Sequence, residues 1–557
     1  MKRIFVGHNH SFGEATASSI AERCLKARPK APAAPSTSTA ASAGAFKPRV
    51  HFQNGPSRSD VCLEALSPGL PAASWQTSLR DGAVGANVRG LKAPATFKHR
   101  SAMEEPSPSR NAPFLRGKCV RQRGTILIVT LWASIGLVSV ALLFGNSMLM
   151  TYRGADNDLA GRQADQAIEG MARYAQTLFL TTDTPGQFPD ITTYVADSLP
   201  MGQATAWFIG RADDPGNGTT RTYGLVDEAG KLNINTATVD MLMQLPGMTD
   251  QLAASIVDWR DADDDVTPNG AESSTYLAMQ PSYSCKNAPF ESIEELAWVY
   301  GATRTILYGE DANMNGVLDP NEDDGDRSPP ADNSDGKLDP GILEYVTVFS
   351  REPNTQKDGT ARVNVSVGGE TVRTVLSDNL SQQRADEIMA RLGPPGARPI
   401  RSVLEFYIIS GMTPDEFAKL SDIITVKTGD YVSGLINVNT ANETVLACIP
   451  GIGPDMASTV VSTRLSRAQA DTSYLWIVDV LGEDNAKLAG PYITGKSFQC
   501  SADIAAVGRH GRGYRRARVV IDNATGTPNI VFRRDLSPMG WALGSAIRQQ
   551  APWKAVR

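Results

Sequence analysis

The longest apolar stretch of the chain runs from Thr125 to Thr151, TILIVTLWASIGLVSVALLFGNSMLMT, and contains no charged residue. A helix of about 20 apolar residues is long enough to cross a hydrocarbon core of about 30 Å. The four cations that precede it are Arg116, Lys118, Arg121 and Arg123. Because cations beside a membrane helix stay on the cytoplasmic side, we expect everything after the helix to lie across the membrane.

The apolar stretch begins directly after a basic residue and a glycine, in the order RQRG–TILIV. A secretory signal instead carries a small-residue cleavage site after its apolar segment. Cleavage at Gly124 would leave the apolar stretch attached to the product. An ordinary single-pass anchor and an uncleaved signal are the alternatives to such a processed leader.

An apolar stripe at helical spacing continues beyond Arg153 to about Leu180. The stripe consists of Ile168, Met171, Ala175, Leu178 and Phe179. This pattern predicts a membrane helix that continues into an amphipathic stem and ends near TTDTPG. The alternative is a pair of helices separated at Gly154 or Gly161.

Segments rich in β-forming residues stand on both sides of a long central region. ATAWFIGRA and TRTYGLVDEAG come before it, and SFQCSADIAAVG, YRRARVVID and NIVFRRD come after it. Within RRARVVI the cationic and apolar side chains alternate, which predicts a half-buried strand. We expect Arg516 and Arg518 on its solvated face, and Ala517, Val519 and Ile521 on its buried face.

The central region contains a repeat that aligns without gaps. LNINTATVDMLMQLPGMTDQLAASIVDWR begins at Leu232, and INVNTANETVLACIPGIGPDMASTVVSTR begins at Ile436. Each copy predicts a helix, a Pro-Gly turn and a second helix, which is the helix-hairpin-helix pattern. Asn235 and Asn439, each with the threonine that follows it, are the expected N-cap residues.

A second pair of segments also repeats, SIEELAWVYGAT and SVLEFYIISGMT. Each predicts a short helix, ended by Gly301 or Gly411. Together the repeats outline a helical domain of about residues 231–480.

Helix-hairpin-helix pairs can hold a DNA phosphate with the backbone N–H groups of the turn. Gly451 and Gly453 fit this use, whereas the first copy lacks the second glycine. Phosphate binding draws most of its affinity from cations, and neither hairpin is surrounded by Lys or Arg. A packing module that presents protein contacts is therefore favoured over a membrane-anchored DNA-binding protein.

The segment DANMNGVLDPNE has the spacing of a twelve-residue calcium loop, with Gly316 at the sharp turn. The expected ligands are Asp311, Asn313, Asn315, Val317, Asp319 and Glu322. Hard oxygen donors at this spacing suit Ca²⁺. The acidic residues come without a nucleophile or a His base, so we expect structural calcium and no enzymatic activity.

Two further acidic segments carry part of the same pattern. One has Val266 where the loop needs glycine. Its oxygen donors are Asp261, Asp263, Asp265, Asn269 and Glu272. The other, ADNSDGKLDPGI, lacks the first and last ligands and could share ligands with the first loop. Its donors are Asn333, Asp335 and Asp339.

Composition changes this picture mainly at the N-terminus. Residues 1–115 are rich in Pro, Ala, Ser and Thr without apolar periodicity, which is typical of a disordered extension. Met103 is an alternative start that would give a leader of ordinary length. The net charge of −6 does not favour a polyanion as the partner. Three of the six cysteines follow the membrane stretch, so the chain is not a disulfide scaffold, and Cys448 is expected in the core.

The junction at Gly124 resembles the leader of type IV pilins and pseudopilins. This resemblance implies cleavage between Gly124 and Thr125 by a prepilin peptidase, followed by methylation of Thr125. The family usually has Glu at the fifth mature position, where this chain has Val129. A carboxylate inside the membrane is costly unless it is paired, and the family's Glu is thought to pair with a neighbouring subunit. A subunit without this carboxylate is poorly suited to a repeating shaft.

Further motifs are similar to a type II secretion minor pseudopilin family, general secretion pathway protein K. DEAGKLNIN, DWRDADDD, KNAPFESIEELAWVYGAT and GLINVNTA occur in that family's order, between about Gly224 and Arg464. The departures are the N-terminal extension and an insertion of about residues 304–430. The family holds calcium in its helical domain, which supports the acidic loops as metal sites.

The resemblance implies an α+β fold in which a pilin-like long N-terminal helix packs on an antiparallel sheet. A large α-helical domain, which contains both helix-hairpin-helix repeats, would be inserted into this sheet. The implied segments are an extension (1–115), a leader end (116–124), a transmembrane and stem helix (125–182), a first sheet part (183–230), the helical domain (231–480) and C-terminal strands with a tail (481–557). The C-terminal domain would lie in the periplasm, with the helix in the inner membrane.

The same resemblance implies a position at the tip of a pseudopilus. The implied partners are other minor pseudopilins, the major pseudopilin, the prepilin peptidase and the inner-membrane assembly platform.

Overall fold

The structure is a computed structural model that describes residues 125–182, 184–211, 221–394, 396, 398–467 and 472–550. The expected extension, the alternative start at Met103 and the leader through Gly124 lie outside the described residues.

The first element is a single helix, α1, from Thr125 to Leu180. Every residue of α1 from 125 to 155 is exposed, whereas one stripe is buried from Ala160 onward. Within the described residues, α1 is the one helix long and apolar enough to cross a membrane. The helix continues through Gly154 and Gly161, so the alternative of two separate helices is wrong.

A six-stranded antiparallel sheet packs on the second half of α1. Numbered in chain order over the described residues, its strands are β1 (Leu199–Met201), β2 (Ala204–Phe208), β3 (Val226–Asp227), β12 (Gln499–Gly508), β13 (Arg512–Asp522) and β14 (Asn529–Asp535). The order is β1-β2-β12-β13-β14, and β3 pairs with the start of β12. The early and late strand segments of the sequence therefore form one sheet.

Small side chains let α1 and the sheet approach closely. Alanines fill much of this core, beside Ile168, Met171 and Phe179. A Cβ at Gly508 would lie 2.1 Å from the Ala160 carbonyl oxygen, and one at Gly513 would lie 2.3 Å from the Ala160 carbonyl carbon. The turn between β12 and β13 thus contacts the stem backbone because both positions lack a side chain.

The helical domain is inserted between β3 and β12. Its helices are α2 (Val239–Leu242), α3 (Asp250–Arg260), α4 (Ser273–Leu277), α5 (Arg304–Tyr308), α6 (Glu370–Asn379), α7 (Gln382–Leu392), α8 (Val403–Ser410), α9 (Pro414–Leu420), α10 (Glu443–Ala447), α11 (Gly453–Leu465), α12 (Ile477–Leu481) and α13 (Glu483–Ala489). Helical structure continues in a 3-10 turn at Gly490–Tyr492, past the expected end of the domain near residue 480.

Short strand pairs tie the inserted domain together. The parallel pairs are β4 (Leu232–Asn233) with β5 (Val346–Thr347), β7 (Val363–Asn364) with β8 (Ile424–Thr425), and β10 (Ile436–Asn437) with β11 (Ile493–Thr494). An antiparallel pair joins β6 (Arg351–Pro353) to β9 (Tyr431–Ser433). The remaining short elements are 3-10 turns at Ile191–Thr193, Ile293–Trp298, Ile342–Glu344, Arg509–Gly511 and Ser537–Met539, and a last helix, α14 (Gly544–Gln550).

The two copies of the sequence repeat fold alike, as a short strand, a short helix, a turn and a longer helix. The expected caps are wrong, because the helices begin later than the sequence pattern indicates. Thr238 caps α2 and Asn442 caps α10.

Asn235 and Asn439 are anchors for the following segment instead of caps. The Asn235 amide accepts the Phe290 N–H at 2.8 Å and donates to the Phe290 carbonyl at 2.9 Å. The Asn439 side-chain oxygen accepts the Trp476 indole N–H at 3.2 Å. Equivalent asparagines in the two copies therefore hold different elements against each hairpin.

The second pair of repeated segments folds less alike. Ile293–Trp298 is a 3-10 helix with a capping box, whereas α8 is α-helical and ends at the left-handed Gly411, φ 58°. The insertion that contains α8 has its own apolar core, centred on Leu376, Ile388 and Phe406. Cys285, Cys448 and Cys500 are buried free thiols, so the expectation for Cys448 is confirmed.

Candidate metal sites and neighbouring contacts

The predicted calcium loop folds around the carboxylate of its first residue. Asp311 accepts the Asn315 N–H at 3.0 Å with one oxygen and the Gly316 N–H at 2.8 Å with the other. Gly316 has a φ of 69°, in the region that favours glycine, so the predicted sharp turn is confirmed.

The other side-chain donors are held within the same loop. The amides of Asn313 and Asn315 donate to one Asp319 oxygen at 2.7 and 2.9 Å. The Glu322 carboxylate accepts the N–H groups of Ala312 and Asp319 at 3.1 and 3.0 Å. Oxygen donors from both ends of the loop are thus turned towards its interior.

The sixth expected ligand, Val317, is placed by Asn315, whose side-chain oxygen accepts the Val317 N–H at 2.8 Å. On the far side of the loop, Asn313, Asp319 and Glu322 line a hollow of about 350 Å³ together with Trp541 and neighbouring C-terminal residues.

Glu322 is affected by the negative charges of two neighbouring carboxylates, Asp311 and Asp319. Burial, followed by the negative charge of Asp311, raises the pKa of Glu322 to about 8. Burial likewise raises the pKa of Asp311, although the Arg211 charge opposes this shift. The buried side-chain oxygen of Asn313 has no hydrogen-bond partner. A divalent cation would supply both the missing charge and the missing partner, so the residues fit calcium.

A second cluster consists of Asp258, Asp261 and Glu272, whose ligand oxygens lie within 4.8 Å of one another. It is the one such acidic group in the described part of the chain. Both Glu272 oxygens and one Asp261 oxygen are buried without partners. Burial and then the charge of Asp258 raise the pKa of Glu272 to about 7. These unpaired oxygens fit a cation.

The other three donors expected in this segment lie outside the cluster. Asp263, Asp265 and Asn269 are exposed on the connecting loop. Asp258 was missed by the loop spacing, because it lies inside α3, whereas Asp261 directly follows the end of that helix.

The third acidic segment is organised by a residue that precedes the calcium loop. Glu310 accepts the N–H groups of Asn333 and Asp339, both at 3.1 Å, and the Asn333 amide donates to Asp339 at 3.0 Å. Asp335 accepts the Lys337 N–H at 2.8 Å. Because Glu310 directly precedes Asp311, it connects this segment to the beginning of the first loop.

The arginines of β13 contradict the expectation of a solvated face. Arg516 is 0% exposed and Arg518 is 7% exposed. Arg516 forms a two-pronged ion pair with Asp503 of β12, at 2.8 and 2.6 Å. The expectation fails because the predicted calcium loop and the C-terminal residues Ala542 and Leu543 cover this second face of the sheet. The sequence pattern of one strand cannot reveal such a cover.

Arg516 and a second arginine, Arg211, which follows β2, contact the predicted calcium loop. Arg516 donates to the carbonyls of Asn313 and Met314 at 2.5 and 2.6 Å, and Arg211 donates to the Met314 carbonyl at 2.9 Å. Arg211 is paired with Glu344 at 2.7 Å. The loop therefore rests on buried, ion-paired arginines.

The repeated hairpins use their closing arginines internally. Arg260 and Arg464 each donate to carbonyls of their own repeat, including Ala237 and Ala441 at 2.5 Å. The turn at Gly451 packs against α13, where a Cβ would lie 2.4 Å from the Asn485 carbonyl oxygen. The two arginines therefore stabilise their own repeats, and α13 covers the turn of the second repeat.

At the membrane end, α1 begins at Thr125, and Gly124 lies outside the described residues. Val129 is 65% exposed, like its neighbours along this part of α1.

A long helix whose second half packs on an antiparallel sheet defines an α+β protein with a stem, and the first half of that helix is long and apolar enough to cross a membrane. Residues 224–308 match the family described as type II secretion system protein K. Over these residues the chain carries a protein K domain, which confirms the resemblance found in the sequence.

No curated protein matches the chain. One chain of the solved GspK-GspI-GspJ complex from the type 2 secretion system of enterotoxigenic Escherichia coli matches with 12% identity. The match covers 71% of this chain and 99% of that chain, with a TM-score of 0.27, a value too low to carry weight for fold or function.

Proposed function

We propose that this protein is a minor pseudopilin of a type II secretion system and is positioned at the tip of the pseudopilus. The observation that carries this proposal is the protein K domain at residues 224–308, in a chain that also has a membrane-length helix and a sheet-covered stem. The helix would lie in the inner membrane, and the remainder of the described chain would lie in the periplasm.

The tip position is supported by bulk and by charge. The helical domain, inserted between β3 and β12, is larger than the sheet that carries it, so it would obstruct a close repeat along a shaft. Val129 offers no carboxylate to a neighbouring subunit. The protein would act by binding other minor pseudopilins and the major pseudopilin, and it would perform no chemistry of its own.

The mature N-terminus tests the family assignment. Mass spectrometry of the membrane-extracted protein should find a peptide that begins at a methylated Thr125, produced by a prepilin peptidase. A Gly124→Ala variant should accumulate uncleaved. A mature chain that retains residues before Thr125 would contradict the proposal.

Contacts with partners test the tip assignment separately. Cysteines placed on the exposed face of α1 should crosslink to co-expressed minor pseudopilins and, at one end only, to the major pseudopilin. Self-crosslinking of this protein along a continuous filament would show that it belongs to the shaft.

We further propose that the acidic loops bind structural calcium. The buried oxygens without partners at Asn313 and Glu272 support this proposal, as do the raised pKa values of Glu272 and Glu322. Calcium would neutralise carboxylates that burial otherwise makes unfavourable. The ligands would be the side-chain oxygens already described, together with the backbone carbonyl of Val317.

DNA binding by the two helix-hairpin-helix repeats is the alternative function. It is disfavoured because the Gly451 turn is covered by α13, and because Arg260 and Arg464 bind carbonyls of their own repeats. A gel-shift titration with double-stranded DNA should give no salt-sensitive micromolar complex. Such a complex would favour the alternative.

A further inference from the structure

The calcium loop is held from outside by the sheet, at its third and fourth positions. The Asn313 and Met314 carbonyls accept three hydrogen bonds from Arg516 and Arg211. Hydrogen bonds from charged donors are stronger than those between neutral groups. Two guanidinium groups therefore fix the peptide planes that stand between the expected ligands Asn313 and Asn315.

The residue between these ligands is in an unfavourable backbone conformation. Met314 has a φ of 55°, in the left-handed region that a side chain disfavours. Its side chain is 4% exposed and belongs to the main core of the helical domain. Surrounding contacts must hold such a residue in place. Here the core holds the side chain, and the arginines hold the carbonyl.

Each of the two arginines that contact the loop is also paired with a carboxylate, which neutralises its charge. Arg516 is paired with Asp503, and Arg211 is paired with Glu344 at 2.7 Å. An unpaired guanidinium beside a cation site would repel the cation. Because of this pairing, the arginines can orient the loop with little electrostatic penalty for a bound cation.

We propose that Arg516, assisted by Arg211, is a positioning residue for calcium: by fixing two loop carbonyls, it presents the side chains of Asn313 and Asn315 to the ion. This inference rests on the proposed calcium site. By reciprocity, the ion in turn strengthens the attachment of the helical domain to the sheet.

The test is calcium titration of the detergent-solubilised full chain by isothermal calorimetry, after the protein has been stripped with a chelator. A Glu322→Gln variant identifies the binding step that belongs to this loop. Arg516→Lys keeps a positive charge near Asp503 but loses the fork that reaches two carbonyls. We expect it to weaken calcium binding in this step about tenfold, the loss of one charge-assisted hydrogen bond.

Arg515→Lys is the matched control, on the same strand but partly exposed and paired with Asp165 at 3.3 Å. Its calcium affinity should equal that of the wild type. Unchanged affinity in Arg516→Lys would overturn the proposal, even if the melting temperature of the metal-free protein falls. If Arg516→Lys does not fold, Arg211→Lys decides by the same comparison. A wild-type chain without the Glu322-dependent step would instead refute the calcium site itself.

Discussion

Asp227 is a buried carboxyl group at the point where the sheet meets the second repeat. Its oxygens accept hydrogen bonds from the hydroxyls of Thr440 and Ser497, the Asn437 amide and the Ala229 N–H. Burial outweighs these bonds and raises the pKa of Asp227 to about 6. Asp227 thus connects the sheet to the helical domain, and the stability of this connection depends on whether its carboxyl group is protonated.

The sign of this pH dependence follows from the raised pKa. Between the ordinary Asp pKa of 3.8 and the raised pKa of about 6, the folded protein keeps a proton that the unfolded chain has lost. Stability from this group is therefore lost as the pH rises through that window, by at most about 3 kcal/mol. Asp227→Asn should remove this component. Urea unfolding of both proteins between pH 4 and 7 measures this component as the difference between their free energies of unfolding. A difference that does not change with pH would contradict the assignment.

Individual ligands differ in how far the sequence could predict them. Gly316 and the candidate ligands around it follow one continuous spacing, so local geometry was enough to predict the turn at Gly316. Asp258 and Glu310 stand outside that spacing and join their sites only because of tertiary folding. Arg516 was assigned to the wrong environment because its burial depends on a loop some 200 positions away.

At the scale of elements, the contact between the stem and the β12–β13 turn allows a direct test. Gly508→Ala would place a methyl group against the Ala160 carbonyl. We expect a loss of about 1–3 kcal/mol, because the stem backbone must move. Thermal unfolding followed by circular dichroism measures the change.

Gly170→Ala is the control on the stem helix itself. There a Cβ would make an ordinary contact, 3.4 Å from the Met201 sulfur. This variant should be neutral or slightly stabilising, since alanine favours helices. Equal losses in the two variants would show that close packing at the turn is not the cause.

Periodicity predicted the elements that are long or repeated. The apolar stripe predicted α1 through Leu180, and the gapless repeat predicted two segments that each contain a short and a longer helix. Caps were misplaced because several polar residues precede each helix and only tertiary contacts distinguish them. The separate core of the insertion and the short strand pairs join distant segments, which no local pattern encodes.

At the scale of the whole molecule, calcium removal should loosen the helical domain. Transfer of the detergent-solubilised chain into chelator should lower its melting temperature by several degrees, because a ligand that binds only the folded state stabilises it. The shift should shrink in Glu322→Gln and in Glu272→Gln. An unchanged wild-type melting temperature would count against structural calcium.

The long insertion also dictates the order in which the sheet can form during synthesis. Ala206 of β2 pairs with Ala506 of β12, which leaves the ribosome 300 residues later. Closing so long a loop is entropically costly unless the intervening chain is already compact. The folded helical domain brings its two ends together, because β3, just before it, pairs with the start of β12, just after it. The folded helical domain therefore acts as a template for the sheet. Without it, the β1–β2 hairpin would remain on the stem with one edge unpaired.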